Sequence, residues 1–360
     1  MAGMGLAGLT GTPRQRGTTQ AQAGPALTNL QLAGQRVISS YPGLTPPASL
    51  LSDITAGNTA GVIFFGENIS SPTQIAGVVA QLRQAQANSP IQVPLLLMTD
   101  QEGGLVRRLP GAPTMSEKQI GQSADPAGAA TAAGTGAGQN LAGVGMNVNL
   151  APVLDVYYKT GNFIDRFQRS YSNNPKVAAT CGQAFITAQQ ATGVAATAKH
   201  FPGLGSATKN QNTDTGPVTL TASLTKLRST DEVPYPPAVA AGVNLVMLSW
   251  AIYTALDPHL PAGLSPTVIG QELRTRNGYT GVTITDAIEA GALNAFGSTG
   301  QRAVSAAGAG MDLILCSARN ITQAETATSA LATALGNGQL DPVVFNDAVN
   351  RVTALRASLF

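Results

Sequence analysis

Short runs of almost unbroken apolar residues alternate along this chain with longer, alanine-rich stretches. The runs are Gly61–Phe65, Pro94–Asp100, Gly145–Val156, Val194–His200, Leu245–Trp250, Gly281–Asp286 and Met311–Cys316. Continuous apolar character over one strand length marks strands buried on both faces, as in parallel sheets. The stretches between them carry helical signals over Pro72–Gln86, Pro126–Leu141, Pro175–Thr192 and Gly300–Gly310. A closing helix is announced by Asp341 as cap, Pro342 in the first turn, and Phe345, Val349, Val352 and Leu355 on one face. Strands alternating with helices imply a parallel sheet. Seven or eight such units in roughly 330 residues fit a single (β/α)8 barrel better than a doubly wound sheet.

The polar residues sharpen this picture. Strand after strand ends in a side chain suited to chemistry: Asp100, Asp155, the pair Lys199–His200, Trp250 and Asp286. In an α/β barrel these ends converge on one face, where active sites are built. A single Asp at a strand end is explained equally well as a cap for the next helix. A succession of such ends with a Lys-His pair among them argues for a site.

Composition removes several function classes. Of 360 residues, 43% are hydrophobic and only 11% charged, and the net charge of +2 gives no electrostatic footprint for nucleic acid. No apolar run approaches the ~18 residues of a membrane span. Two cysteines, Cys181 and Cys316, make neither a disulfide framework nor a multi-cysteine zinc site, and two histidines cannot make a His-rich metal centre. Nothing calls for a metal, nucleotide or organic cofactor, and a monomer is expected. The opening segment, apolar from Met1 to Leu9 and then polar, has no acidic residue before Asp53. Residues 1–26 read as the remnant of an export signal or a tail, and residues 27–360 as the barrel domain. Export is favoured by few lysines and abundant Thr, Gln, Ala and Gly, with a cytoplasmic location as the alternative.

The sharpest motif is Lys199-His200-Phe201-Pro202-Gly203-Leu204-Gly205. A Lys and an imidazole end an apolar strand, and burying them is costly unless something pairs with them. A polyhydroxylated ligand is one such partner; an internal ion pair with Asp155 is the other. Together with Asp100-Gln101-Glu102-Gly103-Gly104-Leu105-Val106-Arg107-Arg108-Leu109, Ala151-Pro152-Val153-Leu154-Asp155, Arg169-Ser170-Tyr171 and Thr285-Asp286, this motif resembles glycoside hydrolase family 3. The similarity runs from about Leu32 to the C-terminus, with the motifs in the family's order, and is strongest to the single-domain bacterial β-N-acetylglucosaminidases.

The resemblance implies a retaining, exo-acting β-glycosidase acting on an oligosaccharide, with terminal β-linked N-acetylglucosamine from chitin or peptidoglycan fragments as the expected substrate. It makes Asp286 the nucleophile, and Asp100, Arg108, Arg169, Lys199 and His200 the residues that hold the sugar. Arg107 is expected to turn to solvent. Asp155 fits a supporting role, orienting Lys199 or Arg169, and Trp250 is placed to stack on a sugar ring or to fill the core. Asn68, in Gly66-Glu67-Asn68, fits the pocket rim or a helix cap equally well.

One departure matters. The family's Asp-x-His pair, whose His protonates the leaving oxygen, is missing from the loop after the glycine turn. With a two-residue insertion, Asn212-Thr213-Asp214 overlies it and puts Asp214 at the acid's position; His259, in an expected surface loop, is the second choice. Ala287 and Ala290 also replace residues common in the family, which is expected to reshape the pocket floor. The family's multi-domain β-glucosidases draw their acid from a second domain, whereas here a barrel loop or a partner is expected to supply it, which favours the hexosaminidase branch. The competing readings are a catalytically silent sugar-binding barrel, made plausible by the lost His, and a β-glucosidase or glycosyl-transferring relative.

Overall fold

The computed structural model describes residues 1–2 and 26–359, so the expected leader lies almost wholly outside the described residues. Eight strands close into a parallel barrel: β1 (Val37–Ser39), β2 (Gly61–Ile63), β3 (Leu96–Thr99), β4 (Val148–Asn149), β5 (Ala195–Phe201), β6 (Leu245–Leu248), β7 (Val282–Ala287) and β8 (Leu313–Leu315). Each pairs in parallel with its sequence neighbours, and β8 returns to β1 through Val37 opposite Ile314. The expected barrel is therefore the fold.

The sequence pattern misses β1, so Gly61–Phe65, the first of the apolar runs, lies on the second strand. β1 has only three residues and follows Gln35 and Arg36, whose polarity breaks the apolar run. Arg36 is nonetheless 1% exposed, because its Nε donates to the Asp312 carbonyl at 3.1 Å and its Nη2 to the Met311 carbonyl. The run Gly145–Val156 is likewise not one strand. β4 covers two of its residues, and Val153 then bridges Lys199 while the chain climbs over the barrel mouth.

Helices form where the pattern places them, over Pro72–Ala87, Pro126–Gly143, Pro175–Gln190, Thr299–Ala309 and Pro342–Ala357. Asp341 caps the last of these by accepting from the Val343 and Val344 amides at 2.7 and 3.2 Å. Small residues serve close packing: a Cβ on Gly134 of Pro126–Gly143 would overlap the Phe185 carbonyl of the neighbouring helix.

Inside the barrel, side chains stack in layers. Ile63, Leu150, Met247 and Leu315, from β2, the end of β4, β6 and β8, are buried together and form the floor of the cavity at the mouth. Four side chains from alternate strands are the expected content of one barrel layer. The next layer up belongs to the other strands, and there stand Asp100 after β3, Lys199 on β5 and Asp286 on β7.

At the opposite end Asp312 bolts β8 to its neighbours. Its carboxylate, fully buried, accepts from the Thr283 amide at 2.8 Å, from Arg274 Nη2 at 2.8 Å and from Arg351 Nη2 at 2.8 Å. Removing one partner of a buried ionic cluster leaves the others unpaired and costs several kcal/mol. Asp312→Ala is expected to lower unfolding free energy by about 3 kcal/mol, seen as a lower urea midpoint with an unchanged slope. A loss under ~1 kcal/mol would mean the cluster is not what holds the barrel closed.

Candidate active site at the barrel mouth

A cavity of about 430 Å³ opens at the C-terminal ends of the strands. Asp100, Arg108, Arg169, Lys199, His200, Asp214 and Asp286 all line it, together with Ala287, Glu289 and Ala290. Residues far apart in sequence are thus gathered by the barrel ends, as expected.

The chain beyond β3 turns straight into a hairpin, Gln101–Gly103 against Val106–Arg107. Gly103 and Gly104 sit at φ +110° and +53°, and a Cβ on either would run into Met115 or Ser116, so the turn requires glycine there. Strand alternation sends Asp100 and Glu102 to one side. Gln101 staples the following loop by donating to the Leu109 and Ala112 carbonyls, both at 2.8 Å. Arg108 lines the cavity with its Nε 4.0 Å from Asp100 Oδ2, while Arg107 turns away and donates to the Gly111 carbonyl.

Glu102 is the residue the motif reading quotes without a role. Its carboxylate, 1% exposed, takes Arg169 in a two-pronged pair at 2.9 and 2.8 Å and Lys199 Nζ at 2.8 Å. Lys199 bridges on to Asp100 Oδ1, also at 2.8 Å. Burial works to raise the Glu102 carboxyl, but Arg169 and Lys199 overcome it and hold it down at about 2. Burial likewise disfavours the Lys199 ammonium, and Asp100 with Glu102 outweigh it and raise its pKa above the ordinary value. The period-two spacing of Asp100 and Glu102 was the available signal for Glu102's place.

β5 slips register against β6 between Ala198 and Phe201. A slip of this kind re-aims side chains, and here the consecutive residues Lys199 and His200 both reach the cavity. The supporting role of Asp155 is accordingly different from expectation: its partner is His200, not Lys199 or Arg169. Its Oδ2 takes the His200 ring Nδ1 at 2.7 Å, and its Oδ1 accepts from the His200 and Leu204 amides at 3.3 and 2.7 Å. One buried carboxylate thus fixes the imidazole and the glycine turn together, leaving Nε2 as the ring's free polar atom. Lys199 and His200 thus both line the cavity while Asp155 engages the His200 ring.

Behind this group lies Glu117, which sequence reading did not single out. It is 1% exposed and accepts from the Val153 amide at 2.8 Å, bracing the segment that carries Asp155. Burial and the nearby Glu102 push its carboxyl well above the usual carboxylate range. Only tertiary packing brings it here.

Asp286 stands at the end of β7, its Oδ1 accepting from the Ala287 amide at 2.8 Å. Trp250 is not in the cavity, contrary to the stacking expectation. It is 1% exposed in the core, and its Nε1 donates to the Ala287 carbonyl at 2.8 Å. The buried indole N–H needs an acceptor, and it finds one on the residue after Asp286. The aromatic rings that do line the cavity are Phe65 and Phe163.

The loop carrying Asp214 is tied to the loop after β7: the Gly291 amide donates to the Asp214 carbonyl and the Ala292 amide to the Thr213 carbonyl, both at 2.9 Å. Although Asp214 is exposed by its accessible surface, desolvation among the loops, then the charge of Asp286, raise its carboxyl above the usual range, with His200 and Arg169 pulling the other way. His259 lies in an exposed turn after Asp257, outside the cavity.

Residues 31–355 match the family described as the glycosyl hydrolase family 3 N terminal domain. An "uncharacterized secreted glycosyl hydrolase" from Arthroderma benhamiae is 48% identical over 329 residues, 91% of this chain and 93% of the relative. A "Beta-hexosaminidase" from Stenotrophomonas maltophilia is 31% identical over 78% of this chain and 85% of its own length. Among solved structures, a family 3 β-N-acetylglucosaminidase from Paenibacillus sp. superposes with a TM-score of 0.87 at 36% identity, covering 92% of this chain; the chain spans 63% of that protein. A β-N-acetylhexosaminidase from Beutenbergia cavernae superposes with a TM-score of 0.82 at 32% identity, covering 92% of this chain and 99% of that one. The fold and mouth are those of a barrel glycoside hydrolase. The chain belongs to glycosyl hydrolase family 3.

The clamp gives a test of its own. Because the folded Glu102 value lies below the ordinary 4.5, its contribution is complete above that pH and is lost as pH falls toward 2. Glu102→Gln is expected to cost about 3 kcal/mol at pH 7. The stability gap between the two proteins should narrow between pH ~4.5 and ~2, read from urea unfolding at several pH values. A gap independent of pH would contradict the ion-paired carboxylate.

Proposed function

We propose that this protein is a retaining, exo-acting β-N-acetylhexosaminidase that removes terminal β-linked N-acetylglucosamine from oligosaccharides derived from chitin or peptidoglycan. The observation that carries the reading is the presence of Asp286 and Asp214 on one cavity wall system whose remaining polar side chains form a hydroxyl clamp. The names of the Stenotrophomonas, Paenibacillus and Beutenbergia relatives support the choice of sugar.

The steps follow from the chemistry of the groups. Asp100, Arg108, Arg169, Lys199 and His200 hold the terminal sugar; Glu102 positions Arg169 and Lys199, Lys199 positions Asp100, and Asp155 positions His200. An apolar floor closes the cavity below, so a chain end enters and an internal segment does not. An Asp286 oxygen attacks the anomeric carbon while the glycosidic C–O bond breaks, its electron pair going to the leaving oxygen. Asp214, its pKa raised by desolvation and by the charge of Asp286, gives that oxygen its proton. Water then attacks the anomeric carbon, Asp214 takes the water's proton, and the ester bond to Asp286 breaks to restore the carboxylate.

Residues 1–26 are read as an export-signal remnant or a tail and 27–360 as the catalytic barrel, with secretion the favoured location. The secreted description of the Arthroderma relative supports this. Among the described residues no helix is long and apolar enough to cross a membrane.

Asp286→Asn is expected to reduce turnover of an aryl N-acetylglucosaminide on the order of a thousandfold or more while sugar affinity survives. Near wild-type turnover would remove Asp286 from the nucleophile's role and favour the silent sugar-binding reading. Asp214→Asn should cripple cleavage of a β-linked disaccharide far more than glycosyl-enzyme formation from a nitrophenyl glycoside, whose leaving group departs without a proton. Since the raised Asp214 carboxyl acts while protonated, the alkaline fall of the rate profile should vanish in this variant. Equal losses on both substrates would place the acid elsewhere. Running the assays with and without inorganic phosphate separates hydrolysis from glycosyl transfer.

A further inference from the structure

The carboxylate of Glu289 faces the cavity and takes no part in the steps above. Neutral donors alone hold it. Its Oε1 accepts from Ser317 Oγ at 2.6 Å, and its Oε2 from Gln323 Nε2 at 3.0 Å and from the Ser317 amide at 3.3 Å. Ser317 follows β8, and Gln323 lies in the helix Ile321–Gly336, where its own Oε1 accepts from the Ala318 amide at 3.0 Å. The cations of the cavity are engaged elsewhere. Arg169 and Lys199 pair with Glu102, and Arg108 points at Asp100. Arg319 lies 4.7 Å over the Phe65 ring, whose amide is held by the buried Asn68, and its Nε is 3.7 Å from Glu67. Three donors suit an acceptor-only side chain; a glutamine would turn its own NH2 against some of them. Glu289 thus anchors the loop after β7 to β8, which the Ile288 amide reinforces by donating to the Leu315 carbonyl at 3.0 Å. The same loop carries Gly291 and Ala292, whose amides hold the Asp214 and Thr213 carbonyls. A Cβ on Gly291 would stand 2.5 Å from the Thr215 carbonyl carbon, so the two segments meet backbone to backbone.

We propose that Glu289 is a positioning residue for the acid: anchored on Ser317 and Gln323, it holds the loop after β7 where that loop docks the Asp214 segment. The proposal rests on the glycosidase reading with Asp214 as acid, and adds the group that keeps the acid in place. Contacts run from β8 through Glu289 to Gly291 and on to Asp214, whereas Asp286 is fixed by its own bond to the Ala287 amide. Loss of Glu289 therefore loosens the acid more than the nucleophile, and a misplacement of about 1 Å can cost ~100-fold in rate. Charge acts in the same sense. Asp214 faces Asp286 on β7 and Glu289 after it, which raise its carboxyl, and His200 on β5 and Arg169 after β4, which lower it. Glu289 itself faces the Cys316 thiol and Arg302, whose Nη1 is spent on the Ile288 carbonyl at 3.1 Å. Without the Glu289 charge Asp214 becomes a stronger acid and gives up its proton at lower pH.

The experiment measures kcat/KM across the neutral and alkaline range for the wild type, Glu289→Ala, Ser317→Ala, Asp214→Asn and the double variant Glu289→Ala/Asp214→Asn. Two substrates are compared: the β-1,4-linked N-acetylglucosamine disaccharide, whose leaving sugar needs a proton, and nitrophenyl N-acetylglucosaminide, whose leaving group does not. Glu289→Ala is expected to lose about tenfold more on the disaccharide than on the nitrophenyl glycoside. The alkaline fall of its disaccharide profile should move to lower pH. Ser317→Ala, which removes the shortest anchor and keeps the charge, should show the same selective loss to a smaller degree. In the double variant the loss from Glu289→Ala should largely disappear, because an absent acid cannot be misplaced. Equal losses on the two substrates, no loss, an unmoved alkaline fall in Glu289→Ala, or additive losses in the double variant would overturn the proposal. Equal losses in Asp214→Asn alone would instead count against the acid assignment beneath it, and a wild type inert on both substrates against the glycosidase reading.

Discussion

A single buried carboxylate, Glu102, organises the sugar-facing side of this barrel. Two strand ends and one long loop converge there, and each brings a charge that could not be buried alone. Arg169 arrives from the loop after β4, Lys199 from β5, and Asp100 from the end of β3. With Glu102 ionised, every one of these groups has an opposite charge within hydrogen-bond distance, and their side chains are held without help from ligand. The same contacts that make burial tolerable orient the donors and acceptors toward the cavity. Stability and preorganisation are here one set of interactions.

The barrel's layered interior explains why the charges sit where they do. An apolar layer from β2, β4, β6 and β8 seals the lumen, so water and ligand stop at Ile63, Leu150, Met247 and Leu315. The stagger of a closed parallel sheet puts the next layer on the other strands. Those strands carry Asp100, Lys199 and Asp286, and the layer above the floor becomes the working surface. Supporting groups then lie one step further out. Asp155 holds His200, Trp250 holds the carbonyl next to Asp286, and the loop after β7 holds Asp214. Each is buried or tied by backbone hydrogen bonds, which suits groups whose task is to keep others still.

The order of apolar runs and alanine-rich stretches determined the barrel from sequence, because parallel strands buried on both faces read as strand-length apolar runs set between longer helical stretches. Strand-end charges and family motifs determined Asp100, Arg108, Arg169, Lys199, His200, Asp214 and Asp286 as cavity residues, since a barrel delivers strand ends to one place. Tertiary structure decided the rest. β1 escaped notice because Arg36, polar in sequence, is buried by carbonyls from β8 that only ring closure supplies. Asp155 changed partner because packing, invisible in the residue pattern, places Lys199 between Asp100 and Glu102 and leaves His200 beside Asp155. Trp250 ends an apolar run as a sugar-stacking residue would, yet its environment is set by Ala287 and the core around it. Glu117, Phe65 and Arg319 carry no motif of their own. What each touches depends on segments distant in sequence, so local pattern determines which groups reach the mouth and packing determines which of them face one another.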